Sequence, residues 1–355
     1  MGFIKFTKMI MPVNVFVDFH HADLYYSLQL LFEKRLGWNL YRPIGEDWYN
    51  RGFWKIAEPY GNDPGTIRQF LSTETANWDA FTNLNGSYTI EDGIYHIYDP
   101  LRKSHQKAIT YEKFMSMPFD FVISSYEPHD EPFQILANSH SPRAKHIAQI
   151  GNIMQKTYAK NVMCSTASFQ PPYGMNVMFY HQEFPLDIFK YTPPPQNKRV
   201  TSMVMLLPDA GKYFAQKAEM PDYEFRAYGM GCPEGVVNGL ENIAQQMQES
   251  MFGWHVKPLG DGFGHIIHNW AASGRPIITS FTDYRDKLAG QFLINGVTAL
   301  DIDQLPPSII ASEIRRMSVP ETHAKMCQAI YDKFKEVCNF DSEAELIRRW
   351  LENIV

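Results

Sequence analysis

The stretch Gly260-Asp261-Gly262-Phe263-Gly264-His265-Ile266-Ile267-His268-Asn269-Trp270-Ala271-Ala272-Ser273-Gly274-Arg275-Pro276, running on into Ile277-Ile278-Thr279-Ser280, decides the fold. It reads as a glycine-rich turn, a short helix and a strand, with the apolar Phe252-Gly253-Trp254-His255-Val256 as the strand before it. Glycines at 260, 262 and 264 let the backbone take positive φ and approach a ligand closely. A helix opening at Gly264 points unpaired N–H groups and its positive dipole end at that ligand, which suits a phosphate. Ala271, Ala272 and Gly274 are small enough for tight packing on a sheet, and Arg275-Pro276 ends the helix because proline cannot continue it. Without a ligand, the same pattern would be an ordinary strand-turn-helix crossover of an α/β fold.

The stretch resembles the donor-binding motif of GT-B glycosyltransferases: Glu-Gly-Phe-Gly, four residues, then Glu-Ala-x-Ala-x-Gly-x-Pro-Val-Ile. Gly262, Phe263, Gly264, Ala272, Gly274, Pro276 and Ile278 match it in register, and Asn295-Gly296-Val297-Thr298-Ala299-Leu300 resembles the family's downstream Asp-Gly-x-Thr-Gly-Leu segment. Asp261 stands one methylene short of the first acid, and Asn269 replaces the second, keeping hydrogen-bonding capacity without charge. The specific resemblance covers about residues 250–302. It implies an α/β chain of two Rossmann-like doubly wound domains facing a cleft, with a C-terminal helix crossing back to the first. It implies a glycosyltransferase that moves a sugar from a nucleotide-sugar donor without a metal and with no other cofactor. Asp261, Gly262, Phe263, Gly264, His265 and Asn269 would hold the donor. Lys212 stands where the family places a cation against the donor diphosphate, with Lys257 as a second candidate.

Reading outward agrees with two such domains. Val13-Asn14-Val15-Phe16-Val17-Asp18-Phe19 is a buried strand, followed by His20-His21, a helix from about Asp23 to Leu36 ended by Gly37, and a strand at Trp38 to Pro43. This β-turn-α-β opening starts a doubly wound domain. Residues 45–110 form an aromatic-rich insertion with turn signals around Asn83 to Tyr88. Further strands are expected at Phe119 to Ser125, Lys145 to Ile150, Asn161 to Cys164 and Asn176 to Tyr180, with a short helix from Thr110 to Met115. Pro193-Pro194-Pro195 reads as a stiff linker. The second domain then alternates strand and helix from Val200 to Leu207 and Tyr223 to Tyr228 through the organising stretch. Three helices close the chain, at about 304–318, 320–338 and 342–354. Ser342-x-x-Glu345 reads as a capping box, with Leu346, Ile347, Trp350, Leu351 and Ile354 on one face of the last helix. The expected division is residues 1–195, 198–338 and a returning helix at 341–355.

Ligands bind parallel sheets at the carboxyl ends of their strands. His20 and His21 lie at such an end, as do His129 and Asp130, and some glycosyltransferases of the resembled fold carry a general-base histidine after the first strand. Histidine suits that work because its pKa lies near neutral pH. Structural histidines that cap the helix or sit satisfied in the core are the competing explanation. Asp301-Ile302-Asp303 formally matches an Asp-x-Asp metal motif but follows the last strand and reads as a solvated strand end. Gly229-x-Gly231-x-x-x-Gly235 has its third glycine displaced from a dinucleotide pattern.

The 355 residues suffice for two cores, and a net charge of −6 argues against a surface coated for nucleic acid. Four cysteines without paired spacing give neither a disulfide scaffold nor an expected metal set, and suit a reducing, cytoplasmic setting. No apolar run reaches the length of a membrane span. The acceptor is expected to be a small molecule, a glycan or a protein, with a nucleobase in DNA also open. Two alternatives to transfer stand: a catalytically silent nucleotide- or sugar-binding protein, and a nucleotide-sugar epimerase on the same fold.

Overall fold

The alternation of buried apolar segments with helices produces two sheets, one mixed and one wholly parallel. The structure, a computed structural model, describes residues 12–18, 21–43, 88–125, 143–151, 157 and 159–354. Among the described residues the first sheet has nine strands in the order β3-β4-β5-β2-β1-β6-β7-β8-β9. At its centre β1 (Asn14–Val17) pairs in parallel with β2 (Asn39–Pro43) and β6 (Phe121–Ser124). β7 (Lys145–Ile150), β8 (Asn161–Cys164) and β9 (Asn176–Phe179) extend it, also in parallel. On the other side, β3 (Tyr88–Glu91), β4 (Ile94–Asp99) and β5 (Ser104–Ile109) form an antiparallel meander whose last strand pairs in parallel with β2. Asp92-Gly93 joins β3 to β4 with positive φ at both residues, the backbone a tight hairpin needs. The C-terminal part of the aromatic-rich insertion therefore widens the sheet; residues 45–87 lie outside the described residues.

The second sheet has five strands, all parallel, in the order β11-β10-β12-β13-β14. They are β10 (Arg199–Ser202), β11 (Glu224–Ala227), β12 (Phe252–Trp254), β13 (Ile277–Thr279) and β14 (Ala299–Asp301). β10 stops at Ser202 instead of reaching Leu207, because Leu206 and Leu207 turn to positive φ where the Gly229 backbone approaches Met205. The helix His265–Ala272 lies tightly on this sheet. A Cβ at Gly253 would come within 2.6 Å of the Trp270 ring, so the indole occupies the space that glycine leaves on β12.

The final helix, Phe340–Asn353, returns to the first sheet. Its Ala344, Ile347 and Leu351, with Ile354, join the core built from Val15, Leu28, Phe32 and Ile123. It begins at Phe340, earlier than the capping box predicts. Asn339 takes the cap position by accepting from the Ser342 N–H at 3.0 Å, which leaves Ser342 inside the helix. The linker is anchored at its start. Arg275, fully buried, donates to the carbonyls of Thr192 at 3.0 Å, Pro193 at 3.2 Å and Gln248 at 2.7 Å. No described helix is long and apolar enough to cross a membrane.

Candidate functional site

A cleft of about 280 Å³ lies where the carboxyl ends of the first sheet's strands meet the glycine turn of the second. His21 and Asp23 reach it from beyond β1, Ser125 from just beyond β6, Gln149 from β7 and Gly151 from just beyond it, and Gln182 from beyond β9. Lys257 and residues 261–266 line the opposite wall.

The turn owes its shape to two glycines. Gly264 caps the helix His265–Ala272 in the left-handed region, φ +82°, and a Cβ there would lie 2.9 Å from that of Ala289. Gly260, φ +69°, has the Asp283 carbonyl oxygen only 2.3 Å from where its Cβ would be. The first N–H groups of the helix therefore open toward the cleft without intrahelical partners.

Asp261 is the hub of the wall. Its carboxylate accepts from His255 Nε2 at 3.0 Å, from the Tyr284 hydroxyl at 3.3 Å, and from the Lys257 ammonium. Burial by itself would raise the carboxyl's pKa, but the hydrogen bond and charge of His255, together with Lys257, hold it well below the ordinary carboxylate range. A permanent carboxylate thus fixes Lys257 at the cleft.

Across the cleft a polar chain joins the two sheets. Gln149 Nε2 donates to Ser165 Oγ at 3.2 Å and to Tyr180 OH at 3.1 Å, and Gln182 Nε2 donates to Ser165 Oγ at 2.6 Å. The carboxamide oxygen of Gln182 then faces His265 Nε2 at 2.6 Å. That oxygen only accepts, so Nε2 carries the proton. Burial lowers His265 to a pKa of about 4, which keeps the ring neutral near pH 7. At Gly151 a Cβ would sit 2.8 Å from Gln182 Nε2, so a side chain there would break the chain.

His21 lies in the cleft, but its Nδ1 accepts from the Asp23 N–H at 3.3 Å and caps the helix Ala22–Gln29. With Nδ1 an acceptor, the neutral ring carries its proton on Nε2 and offers a donor to the cleft. Asp23, beside it, pairs with Arg102 at 2.6 Å. His20, His129 and Asp130 lie outside the described residues.

The predicted residues separate into three groups. His21, Asp261, Gly262, Phe263, Gly264 and His265 share the cleft. Asn269 is buried further along the helix, outside the cleft's lining, and its carboxamide oxygen is enclosed without a hydrogen-bond partner. Lys212 is exposed on the helix Ala210–Glu219 and does not line the cleft, whereas Lys257 does. Asp301 and Asp303 cap the segment after β13, accepting from the N–H groups of Phe281 at 3.2 Å and Thr282 at 2.8 Å. Sequence reading missed Gln149, Gln182 and His255. His255 stands six residues before Asp261 at a strand end, a local signal that could have been weighed. The two glutamines carry no such mark.

No family model matches the chain, and no curated protein matches it. Among solved structures it is similar to Anabaena Alr3699/HepE in complex with UDP and glucose, with 10% identity, 97% of this chain and 100% of that one covered, and a TM-score of 0.63. It is similar to a glycosyltransferase from Rickettsia africae ESF-5, with 9% identity, coverage of 97% and 100%, and a TM-score of 0.63. AviGT4, a glycosyltransferase involved in avilamycin A biosynthesis, matches at 10% identity over 96% and 97% with a TM-score of 0.55. The chain has the GT-B fold of these proteins.

Proposed function

We propose that this chain is a glycosyltransferase that takes its sugar from a nucleotide-sugar donor, bound in the cleft against residues 261–266. One observation carries the reading: the helix opened by Gly264 aims its free N–H groups into a cleft whose other wall is formed by the strand ends of the first sheet. The structure of Anabaena Alr3699/HepE contains UDP and glucose, and a donor of that class suits this wall. In this reading residues 1–195 form the acceptor side, residues 198–338 hold the nucleotide sugar, and the helix at 341–355 closes one on the other.

The donor diphosphate lies on the helix amides, where the dipole favours negative charge. As the glycosidic bond breaks, the departing diphosphate gains charge, and Lys257, held by Asp261, stands at the same wall to stabilise it. Phosphate stabilisation then rests on amides and an ammonium, with no metal in the chemistry. In this reading donor binding opens the helix wall far enough for the enclosed Asn269 oxygen, which lies outside the cleft's lining, to accept from a ribose hydroxyl. Asp261 keeps one acceptor site for a sugar hydroxyl beyond its three partners. His21 enters as an Nε2 donor to substrate oxygen.

The test is donor turnover without acceptor over a panel of nucleotide sugars, with and without added Mg²⁺ or Mn²⁺. Release of free sugar and nucleoside diphosphate from at least one donor, unchanged by either ion, is expected. In His21→Asn, where asparagine retains the helix cap, release should fall about tenfold or more with the thermal midpoint unchanged. A changed sugar still attached to its nucleotide would instead identify an epimerase, and tight binding without turnover a binding protein.

A further inference from the structure

Behind the cleft wall, three side chains from distant parts of the chain converge. His181 follows β9, His268 lies on the helix His265–Ala272, and Cys338 stands between the last two helices. One ring nitrogen from each histidine and the Cys338 sulfur all lie within 4.8 Å of one another. One nitrogen of each ring is already engaged. His268 Nδ1 lies 2.8 Å from the Gly264 carbonyl oxygen, and His181 Nδ1 lies 2.9 Å from Glu343 Oε1. The second carboxylate oxygen of Glu343 accepts from the His181 N–H at 2.8 Å. A carbonyl and a carboxylate only accept, so both Nδ1 atoms carry protons, and in the neutral rings both Nε2 atoms present lone pairs.

Those two Nε2 atoms are buried and have no hydrogen-bond partner among the described residues, and His268 is fully enclosed. Two buried lone pairs gathered beside a thiol are a donor set that a single cation would satisfy. Histidines oriented by a carboxylate and a backbone carbonyl form the outer shell that metal-binding histidines ordinarily have. Elsewhere in the chain, Cys164, Cys232 and Cys327 have their sulfurs against Thr166 O, Val204 O and His323. Cys338 faces the two histidines instead.

We propose that His181, His268 and Cys338 bind a divalent metal ion of borderline-soft character, with zinc the fitting occupant, which staples the helix His265–Ala272 to the returning helix. Two imidazoles and a thiolate are the donor set zinc prefers, with nitrogen at about 2.0 Å and sulfur at about 2.3 Å. Binding forms the metal–sulfur bond as the Cys338 thiol releases its proton to solvent. The ion plays no part in sugar transfer: Phe263, stacked on His268 with ring centroids 4.0 Å apart, stands between it and the cleft. The inference is independent of which sugar, or any sugar, is transferred.

The experiment titrates the metal-stripped full-length chain with Co²⁺ and then with Zn²⁺. Expected are thiolate-to-cobalt charge-transfer absorption with tetrahedral ligand-field bands, saturation at a single ion per chain, displacement by zinc, and a higher thermal midpoint with zinc bound. The charge-transfer band should vanish in Cys338→Ser and persist in Cys327→Ser. Glu343→Gln should weaken zinc binding by about 10–100-fold by loosening the His181 ring. The proposal is overturned if the parent chain gives no tetrahedral cobalt spectrum, or if the charge-transfer band survives in Cys338→Ser. Should Cys338→Ser fail to fold, the parent's titration and Glu343→Gln decide: equal zinc affinity in these two also overturns it.

Discussion

Asn269 carries an enclosed carboxamide oxygen without a partner. A buried unsatisfied acceptor destabilises a fold by roughly 1–3 kcal/mol, and in the proposed donor complex a ribose hydroxyl would satisfy this one. Asn269→Ala removes the orphan oxygen. The thermal midpoint should therefore stay level or rise while nucleotide-sugar affinity drops about tenfold, the worth of a good hydrogen bond. Calorimetric titration beside a thermal melt checks both arms, and a level melt with unchanged affinity would remove Asn269 from the donor site. A glutamate at the same place would bring a charge into an enclosed position, where it needs ribose hydroxyls to offset its desolvation. Asp261 is harder to probe by truncation, because Asp261→Ala would also strand His255 and release Lys257.

The element on which the site depends is the glycine turn with its helix. At Gly264 both the left-handed φ and the nearby Ala289 Cβ exclude a side chain. Gly264→Ala should cost on the order of 1–3 kcal/mol in a denaturant melt and also remove donor binding, since the turn must move the amides proposed to hold phosphate. Loss of stability with intact donor affinity would mean the amides do not hold the phosphates. The same element shows how far a local pattern reaches. The glycine spacing, the small residues of the helix and the stop at Arg275-Pro276 are all readable from neighbours in sequence. The helix that starts at Phe340 is not, since Asn339 and Ser342 are both acceptable caps and packing chooses between them.

For the whole molecule, His146 sets an acid limit. It is buried on β7, with Nε2 3.1 Å from Ser124 Oγ, and burial lowers its pKa to about 4. The unfolded ring protonates near pH 6.5, so between pH 6.5 and 4 the unfolded chain binds a proton that the folded one does not. Stability from this group is complete above pH 6.5 and is lost as the pH falls toward 4, by roughly 3 kcal/mol over the window. Denaturant midpoints at pH 7, 5.5 and 4 should fall in order, and His146→Gln should flatten the slope. An equal slope in parent and variant would place the acid sensitivity elsewhere, for example at His265, whose pKa is lowered in the same direction.

What the sequence determined by itself is most of the parallel strands and their helices, and the glycine turn. Periodicity and burial are local properties of consecutive residues, and a positive φ is a local demand that glycine meets, so β1, the strands of the second sheet and the turn at Gly260 to Gly264 were legible without coordinates. Tertiary structure alone decided which of the marked residues meet. It put Lys257 in the cleft and left Lys212 outside it. It turned His21 into a helix cap with a donor nitrogen. It brought Gln182 to His265, and His181 and Cys338 to His268. Those pairings join segments far apart in the chain, and their geometry depends on how two sheets and a returning helix pack. No spacing rule along the chain encodes that packing.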